Sequence, residues 1–455
     1  MIAVAGVLAL ALLVGVFVVM RIGGRLRDVF VVAARLLSTT FIFLRLGINL
    51  LVQRLAGQST NIPVLVRDTL EALGPTWVKL AQLLASSHGL VPERYRRELE
   101  RTLDRVRPLP FPLVAMVIEE ELGPIASRFT SVDELELAAA SIAQVHRAVL
   151  SDGRVIALKV QRPGIHARVH ADLIILAILA RVAEWLPIVR LANPRAVVDD
   201  LSRTLEDELD FVREADHLDE FNRWAKELGH DDVRAPRVIR EVSTRRVLAL
   251  EYFDGVRIDD VRAVAQRGFD GEERLIAGMR AWFRVLLLRG FFHGDVHAGN
   301  LLILTDGSIG FLDFGIIGRL DLETRRRLAE LLASALTGDF QGLAAALVGL
   351  DAVAGNHEQS NVSAELATDL AALVEPLRRQ GLADIRLAEL LPEVLRVAAR
   401  HKLRLPRALV LVAKQLLYFD RYGKLLAPGL NVFADPRLLG SLLPDLLWLK
   451  TSAAT

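Results

Sequence analysis

The chain has 455 residues, a formal net charge of +1, 52% hydrophobic residues and a mean hydropathy of +0.34, which is long for one domain and apolar for a soluble protein. It has no cysteine, which excludes a disulfide framework, a thiolate metal site and a thiol nucleophile. The balanced charge gives no reason to expect nucleic acid as a partner.

The chain begins with an uninterrupted apolar run from Ile2 to Met20, close to the roughly 20 residues that cross a bilayer as a helix. The basic residues Arg21, Arg25 and Arg27 follow the run instead of preceding it. That order is unlike a cleaved signal peptide, and by the positive-inside rule it leaves the bulk of the chain in the cytoplasm. Residues 1–27 are therefore expected to form a membrane anchor. From Val29 to Leu55 the chain is again apolar but carries Arg35, Arg45 and Arg54, as does a helix that lies on a membrane surface or packs on a domain. Gly74-Pro75 opens a helix, because Pro suits the first turn. Three-residue spacing puts Lys79 and Gln82 on one of its faces, with Trp77, Leu80 and Leu84 as an apolar stripe. Only seven of the 56 basic residues are Lys, so Lys79 is more than surface charge. The Pro-rich stretch from Arg107 to Pro112 marks the boundary between this helical extension, residues 28–130, and a core domain.

Strand-like runs flank Ala138, Ala139, Ala140 and Ser141, which predicts a turn of small residues whose backbone can approach a ligand, although Ala resists positive φ where Gly accepts it. Arg154 to Gln161 alternates as a strand with Lys159 near its end, the placing of the kinase lysine that holds phosphates. A mainly helical stretch from Gly164 to Arg234 carries Glu206, Glu208, Asp210 and Glu214. Arg237 to Val242 and Arg246 to Tyr252 read as strands. From Glu273 the pattern is helical, over Ala281 to Leu288, Thr324 to Leu336, Leu343 to Leu350, Glu365 to Arg378 and Pro406 to Leu417. The apolar tail, residues 436–455, is expected to touch membrane.

Within that region lies HGDVHAGNLLILTDGSIGFLDFG, from His293 to Gly315. Leu301 to Leu304 and Ile309 to Leu312 should pair as strands across the Asp306-Gly307 turn. The hairpin would bring Asp295, Asn300 and Asp313 together. An Asp and an Asn five residues apart, followed by Asp-Phe-Gly, is the order kinases use for phosphoryl transfer. Asp295 would orient or deprotonate the acceptor, while Asn300 and Asp313 offer hard oxygen ligands suited to magnesium. A competing reading takes His293, Asp295 and His297 as alternate residues of an extended zinc site, which would need further ligands from other elements.

These segments together resemble the UbiB, or ADCK, family of atypical kinases over roughly residues 65–435. The matching runs are KLAQ from Lys79, AAASIAQVH from Ala138, LKVQRPG from Leu158, ELDFVREA from Glu208, HGDVHAGN from His293 and LDFG from Leu312. The resemblance implies an α+β, bilobal protein-kinase-like fold, with an N-lobe over residues 131–255 and a helical C-lobe over 256–435. It implies ATP and Mg2+ as cofactors and an ATPase or unorthodox kinase activity supporting isoprenoid-quinone biosynthesis at membranes. Membrane lipid, isoprenoid or quinone precursors and quinone-biosynthesis proteins are then the expected partners. By the same resemblance Lys159 holds phosphates with Glu208 as its acidic partner, Glu214 being the alternative. Ala138, Ala139, Ala140 and Ser141 form the Ala-rich loop over the nucleotide, main-chain groups at Tyr252 and Phe253 receive adenine, and Lys79 with Gln82 gates the cleft. At position 81 the family motif has Gly and this chain has Ala. Two further readings are a small-molecule kinase of the aminoglycoside or choline type and a nucleotide-binding scaffold without catalysis.

Overall fold

The structure, a computed structural model, describes residues 26–57, 61–86, 91–99, 101, 108–185, 193–353, 364–380, 387–403, 406–430 and 435–451. The expected anchor from Ile2 to Met20 lies outside these residues. In chain order, helices α1 (Leu26–Leu55), α2 (Ile62–Leu73), α3 (Pro75–Ser86), α4 (Glu93–Leu99) and α5 (Phe111–Leu122) lead into strands β1 (Phe129–Ala139), β2 (Ala143–Leu150) and β3 (Val155–Gln161). Helices α6 (Ile165–Ala183), α7 (Pro194–Glu208) and α8 (Phe211–Glu227) and strands β4 (Val233–Arg234), β5 (Val247–Glu251) and β6 (Gly255–Arg257) follow. Next come α9 (Val261–Gln266), α10 (Gly271–Arg289), β7 (Phe291–His293), β8 (Leu301–Leu304), β9 (Ile309–Phe311) and β10 (Ile317–Arg319). The remainder is helical: α11 (Leu322–Thr337), α12 (Phe340–Val353), α13 (Ala364–Gln380), α14 (Leu387–Arg400), α15 (Arg407–Leu426) and α16 (Pro436–Thr451). The chain divides into two compact units, one holding residues up to Val212 with Ile239–Leu250, the other Arg213–Val238 with Glu251 onward.

In the first unit a four-stranded sheet runs in the order β1-β2-β3-β5. Side chains alternate across a strand, so Ala148 and Leu150 on β2 and Ile156, Leu158 and Val160 on β3 bury one face, against Val114, Val117 and Ile118 of α5. Lys159, between two of these residues, is thereby turned to the other face. Of the expected strand from Arg237 to Val242 only a bridge at Val238 forms, with the Ile239 N–H on the Ala249 carbonyl and the Glu251 N–H on the Arg237 carbonyl, both at 2.8 Å. The chain then makes a 3-10 turn over Arg240–Val242, and beyond it the Ser243 hydroxyl accepts from the Ala249 N–H at 3.1 Å.

The first turns of helix α1 pack on the domain, one of the two readings of its sequence. Val32, Arg35 and Thr39 are buried, and Arg35 pairs with Asp172 of α6 while donating to the Leu73 carbonyl. A buried Arg needs a paired carboxylate to be tolerated, which ties these first turns to the domain. Beyond them Phe41, Leu44, Ile48, Leu51, Val52 and Leu55 are exposed. Among the described residues, Val31–Leu55 is the one helix long and apolar enough to cross a membrane, by length and composition.

In the second unit the strands order as β4-β9-β8-β6. The hairpin forms as its sequence predicts, with Leu301 opposite Phe311 and Ile303 opposite Ile309. Gly307 takes φ +81° in its turn, and Asp306 accepts from the Ser308 N–H and hydroxyl at 2.9 and 2.6 Å. Residues 213–238, read from the sequence as N-lobe, cluster here. Phe221 of α8 packs on Phe311 and Phe314, with ring centroids 5.3 and 5.0 Å apart, and β4 pairs in parallel with β9. The tail is a helix with Pro444 inside it. Leu438, Leu446 and Leu449 are buried, and Asp445 holds Arg284 of α10 at 2.7 Å, so one side of it packs on this unit while Leu447 and Trp448 stay exposed. Helix α14 is not among the elements expected from sequence.

Candidate active site

The site residues fall in both units and are described unit by unit. In the second, β7 ends at His293, which is fully buried. Its Nε2 lies 2.7 Å from the Leu312 carbonyl, a contact that needs an N–H. Nδ1 is then the acceptor for the Asp295 N–H at 3.0 Å. Burial holds this imidazole below its ordinary pKa, in keeping with the neutral form that the two bonds require. His293 thus links the loop carrying Asp295 to the strand that precedes Asp313.

Asn300 is fixed just as closely. Its N–H reaches the His297 carbonyl at 2.8 Å, its carbonyl accepts from the Leu312 N–H at 2.8 Å, and its Nδ2 donates to the Asp295 carbonyl at 3.0 Å. Because the amide nitrogen is committed to that carbonyl, Oδ1 is the atom it has to offer. Asp313 has φ +53°, a left-handed conformation uncommon for a residue with a Cβ. Such strain collects at functional sites where neighbours over-determine the backbone. Here Phe314 is fully buried with its ring 4.6 Å from that of His293, and Asp313 Oδ1 accepts from the Gly315 N–H at 3.3 Å. A Cβ on Gly315 would stand 3.1 Å from that oxygen and 4.0 Å from Glu214 Oε2. Glu214, the alternative acidic residue, therefore sits at the Asp-Phe-Gly turn. An amide oxygen and a carboxylate are hard donors that fit magnesium, which keeps waters and phosphate oxygens as its other ligands.

The zinc reading fails on the same geometry. Both His293 nitrogens are engaged with backbone, and His297 Nδ1 accepts from the Gly299 N–H at 2.9 Å. Among the described residues no group of three or more His, Asp or Glu is placed to hold a metal. Tyr252 and Phe253, also in this unit, lie in the link between β5 and β6. The Phe253 ring carries the Arg234 guanidinium 4.5 Å from its centroid and covers Gly310, where a Cβ would be 2.8 Å away.

The first unit holds the rest. Lys159 Nζ stands 5.3 Å from the centre of the Phe211 ring. Strand β1 continues through Ala138 and Ala139, with Ala139 opposite Gln144, so the turn itself is Ser141-Ile142, closed by the Ala140 N–H on the Ala143 carbonyl at 2.9 Å. Arg162 staples it, Nε on the Ala140 carbonyl at 3.0 Å and its N–H on the Ile142 carbonyl at 2.8 Å. None of Ala138 to Ser141 has positive φ. The penalty expected for Ala in a left-handed loop is not incurred in this conformation, because extended pairing carries the Ala residues nearly to the turn.

Lys79 and Glu208 are together: Nζ and Oε1 are 2.5 Å apart, with side chains 18% and 8% exposed. Glu208, assigned by resemblance to Lys159, thus gives its Oε1 to the helix that carries Gln82. Asp210, two residues on, instead takes Arg245 at 3.1 Å. Ala81 is fully buried and packs with Ala85 and Leu99, so the helix accommodates the methyl that replaces Gly. Three residues absent from the sequence reading join the second unit's site from α15. Lys414 Nζ lies 3.2 Å from Asp295 Oδ1, Gln415 bonds the Val296 N–H and the Gly294 carbonyl, and Tyr422 reaches the Val296 carbonyl at 2.8 Å. The scarcity of Lys that singles out Lys79 applies equally to Lys414.

Comparison with known proteins identifies the family. Residues 101–347 match the model of the ABC1 atypical kinase-like domain, and residues 370–431 that of the UbiB helical domain. An uncharacterised protein of Mycobacterium tuberculosis is 40% identical over 82% of this chain and 76% of its own length. An uncharacterised chloroplastic aarF domain-containing protein kinase of Arabidopsis thaliana is 35% identical over 83% and 74%. A probable protein kinase UbiB of Xanthomonas oryzae is 34% identical over 82% and 68%. Among solved structures, a Mycobacterium tuberculosis protein in complex with erythromycin aligns over 81% of this chain and 95% of its own, with a TM-score of 0.50 and 25% identity. With a kinase-like fold, an ABC1 domain over more than half its length and a UbiB helical domain behind it, the chain belongs to the UbiB family of atypical kinase-like proteins.

Proposed function

We propose that the chain binds ATP with magnesium and transfers or hydrolyses its terminal phosphoryl group, in support of isoprenoid-quinone or lipid metabolism at a membrane. The observation that carries this reading is Asn300, whose Nδ2 is spent on the Asp295 carbonyl so that Oδ1 is left as a donor oxygen, with Asp313 held in a strained turn across the hairpin. Bound magnesium would neutralise the charge of the phosphates. Asn300 and Asp313 hold the ion, Lys159 pairs with phosphate oxygens, and Asp295 accepts a proton from the attacking hydroxyl or water. Lys79, restrained by Glu208, and Gln82 act as a gate. The Ala-rich turn with Ser141 and the main chain at Tyr252 and Phe253 complete the nucleotide contacts, and Glu208, in the same unit as Lys159, is its acidic partner. The exposed half of α1 engages lipid, which brings isoprenoid or quinone precursors and the proteins that process them within reach.

The test is magnesium-dependent nucleotide binding and turnover. Asp313→Asn and Asn300→Ala should each weaken binding by about tenfold or more, equivalent to about 1.4 kcal/mol. Asp295→Asn should lower turnover more than binding, since an orienting base acts mainly in the transition state. Unchanged nucleotide affinity in both ligand variants would remove the basis of the proposal. Lipid and metabolite profiling of a deletion strain then separates a quinone defect from loss of a phosphorylated soluble amine or sugar.

A further inference from the structure

Helix α15 is held on the loop carrying Asp295 by three side-chain bonds to main-chain groups on either side of that residue. Gln415, fully buried, accepts from the Val296 N–H at 2.9 Å and donates to the Gly294 carbonyl at 2.6 Å. Tyr422, 1% exposed, donates to the Val296 carbonyl at 2.8 Å. Asp295 is the residue between those two, and Lys414 precedes Gln415. The clamp therefore sets where the base of the Lys414 side chain stands relative to the Asp295 carboxylate. Its ammonium reaches Oδ1 at 3.2 Å and has the Tyr418 ring, one turn on, 5.7 Å away.

Stability does not account for this arrangement. Lys414 is 40% exposed and Asp295 22%, and an ion pair so open to water is worth about 0–1 kcal/mol. We infer that Lys414 is a positioning residue for phosphoryl transfer, delivered to Asp295 by the helical segment that follows the kinase-like domain. The inference rests on the phosphoryl-transfer reading above. Before the reaction the ammonium fixes one carboxylate oxygen and leaves the other for the acceptor proton. As the acceptor oxygen bonds to the terminal phosphorus and the bridging P–O bond breaks, the acceptor proton passes to Asp295 and ADP leaves. Held by the ammonium, the carboxylate meets that proton in one orientation. That positioning acts on the chemical step more than on substrate binding, which raises kcat instead of lowering KM.

The experiment compares the full chain with Lys414→Met and Lys414→Arg in magnesium-dependent ATP turnover and in nucleotide binding by titration. Lys414→Met is expected to lower kcat by about 10- to 100-fold while KM and nucleotide affinity stay within about threefold, and Lys414→Arg to recover most of the loss. A structural role would instead damage both variants alike or lower affinity and thermal stability together, and either result would overturn the inference. Turnover in Lys414→Met equal to that of the unaltered chain overturns it too, and leaves the phosphoryl-transfer reading standing. If the unaltered chain neither binds nor turns over ATP with magnesium, both fall together.

Discussion

The Lys79–Glu208 pair can be weighed by a double-mutant cycle. With 18% and 8% of their side chains exposed, both charges are largely out of water, and removing one partner of a buried pair costs about 3–5 kcal/mol because the other is left uncompensated. Residual access of water to Lys79 favours the lower end. Lys79→Met and Glu208→Leu should thus each cost about 3 kcal/mol, whereas the double variant, with two apolar groups of similar volume facing each other, should cost no more than either alone. The cycle then yields a coupling of about 3 kcal/mol, at the top of the usual range for contacting residues. For a body of 150–250 residues each kcal/mol moves Tm by about 2–4 °C, so thermal denaturation should show each single variant melting roughly 6–12 °C lower. Costs that simply add would mean that the two charges are not coupled, and a gate held by this ion pair would have to be abandoned. In the same variants Lys79→Met should change ATP turnover without abolishing nucleotide binding, since its partner is a protein carboxylate.

Two further outcomes follow from individual residues. His230 is 3% exposed, and burial, reinforced by Arg284 and Arg280, pushes its imidazole down to about 4. The folded state then stays neutral while the unfolded chain takes up a proton below its ordinary value near 6.5, so this contribution is complete above about pH 6.5 and is lost as pH falls toward 4. It amounts to at most about 3 kcal/mol, and His230→Leu should flatten the acid side of a denaturant-midpoint profile; an identical slope in both proteins would refute the assignment. On α1, Leu44→Glu with Leu51→Glu alters two exposed residues and should leave stability within about 0.5 kcal/mol per site. Binding of the chain from residue 26 onward to anionic lipid vesicles should drop sharply, and unchanged binding would place membrane contact elsewhere.

The hairpin is legible in the sequence because what fixes it is local, an Asp-Gly turn and two short apolar runs, and Asp295, Asn300 and Asp313 are legible as candidates from their spacing within one loop. The kinase-like fold is legible for a related reason, since each motif sits at a turn or strand end whose chemistry is set by near neighbours. What is not legible depends on partners far along the chain. Arg35 reads as an interruption in an apolar helix until Asp172 is placed opposite it, and Lys414 reads as a surface residue until α15 meets the catalytic loop. Glu208 and Asp210 both have the right charge to serve a lysine, but which cation each takes depends on where α3 and the Arg245 turn lie. The stretch from Arg237 to Val242 has the composition of a strand, but it pairs only around Val238 before a 3-10 turn ends it, and the Ser243 hydroxyl takes the next Ala249 N–H.

The chain passes between its two units three times, at Val212, Val238 and Leu250, and this bears on how it is made. During synthesis α8 and β4 emerge before any of the structure that buries them in the second unit. Phe221 waits for Phe311 and Phe314, and β4 for β9, roughly 80–90 residues later, or about 4–18 s at ordinary elongation rates. Through that interval an aromatic helix and an unpaired strand edge stay uncovered on the ribosome, the kind of surface that chaperones recognise and that aggregates when they are limiting. Low yield at high expression rates, relieved by slower translation or added chaperone, is then a property of the chain's threading and not of its final stability.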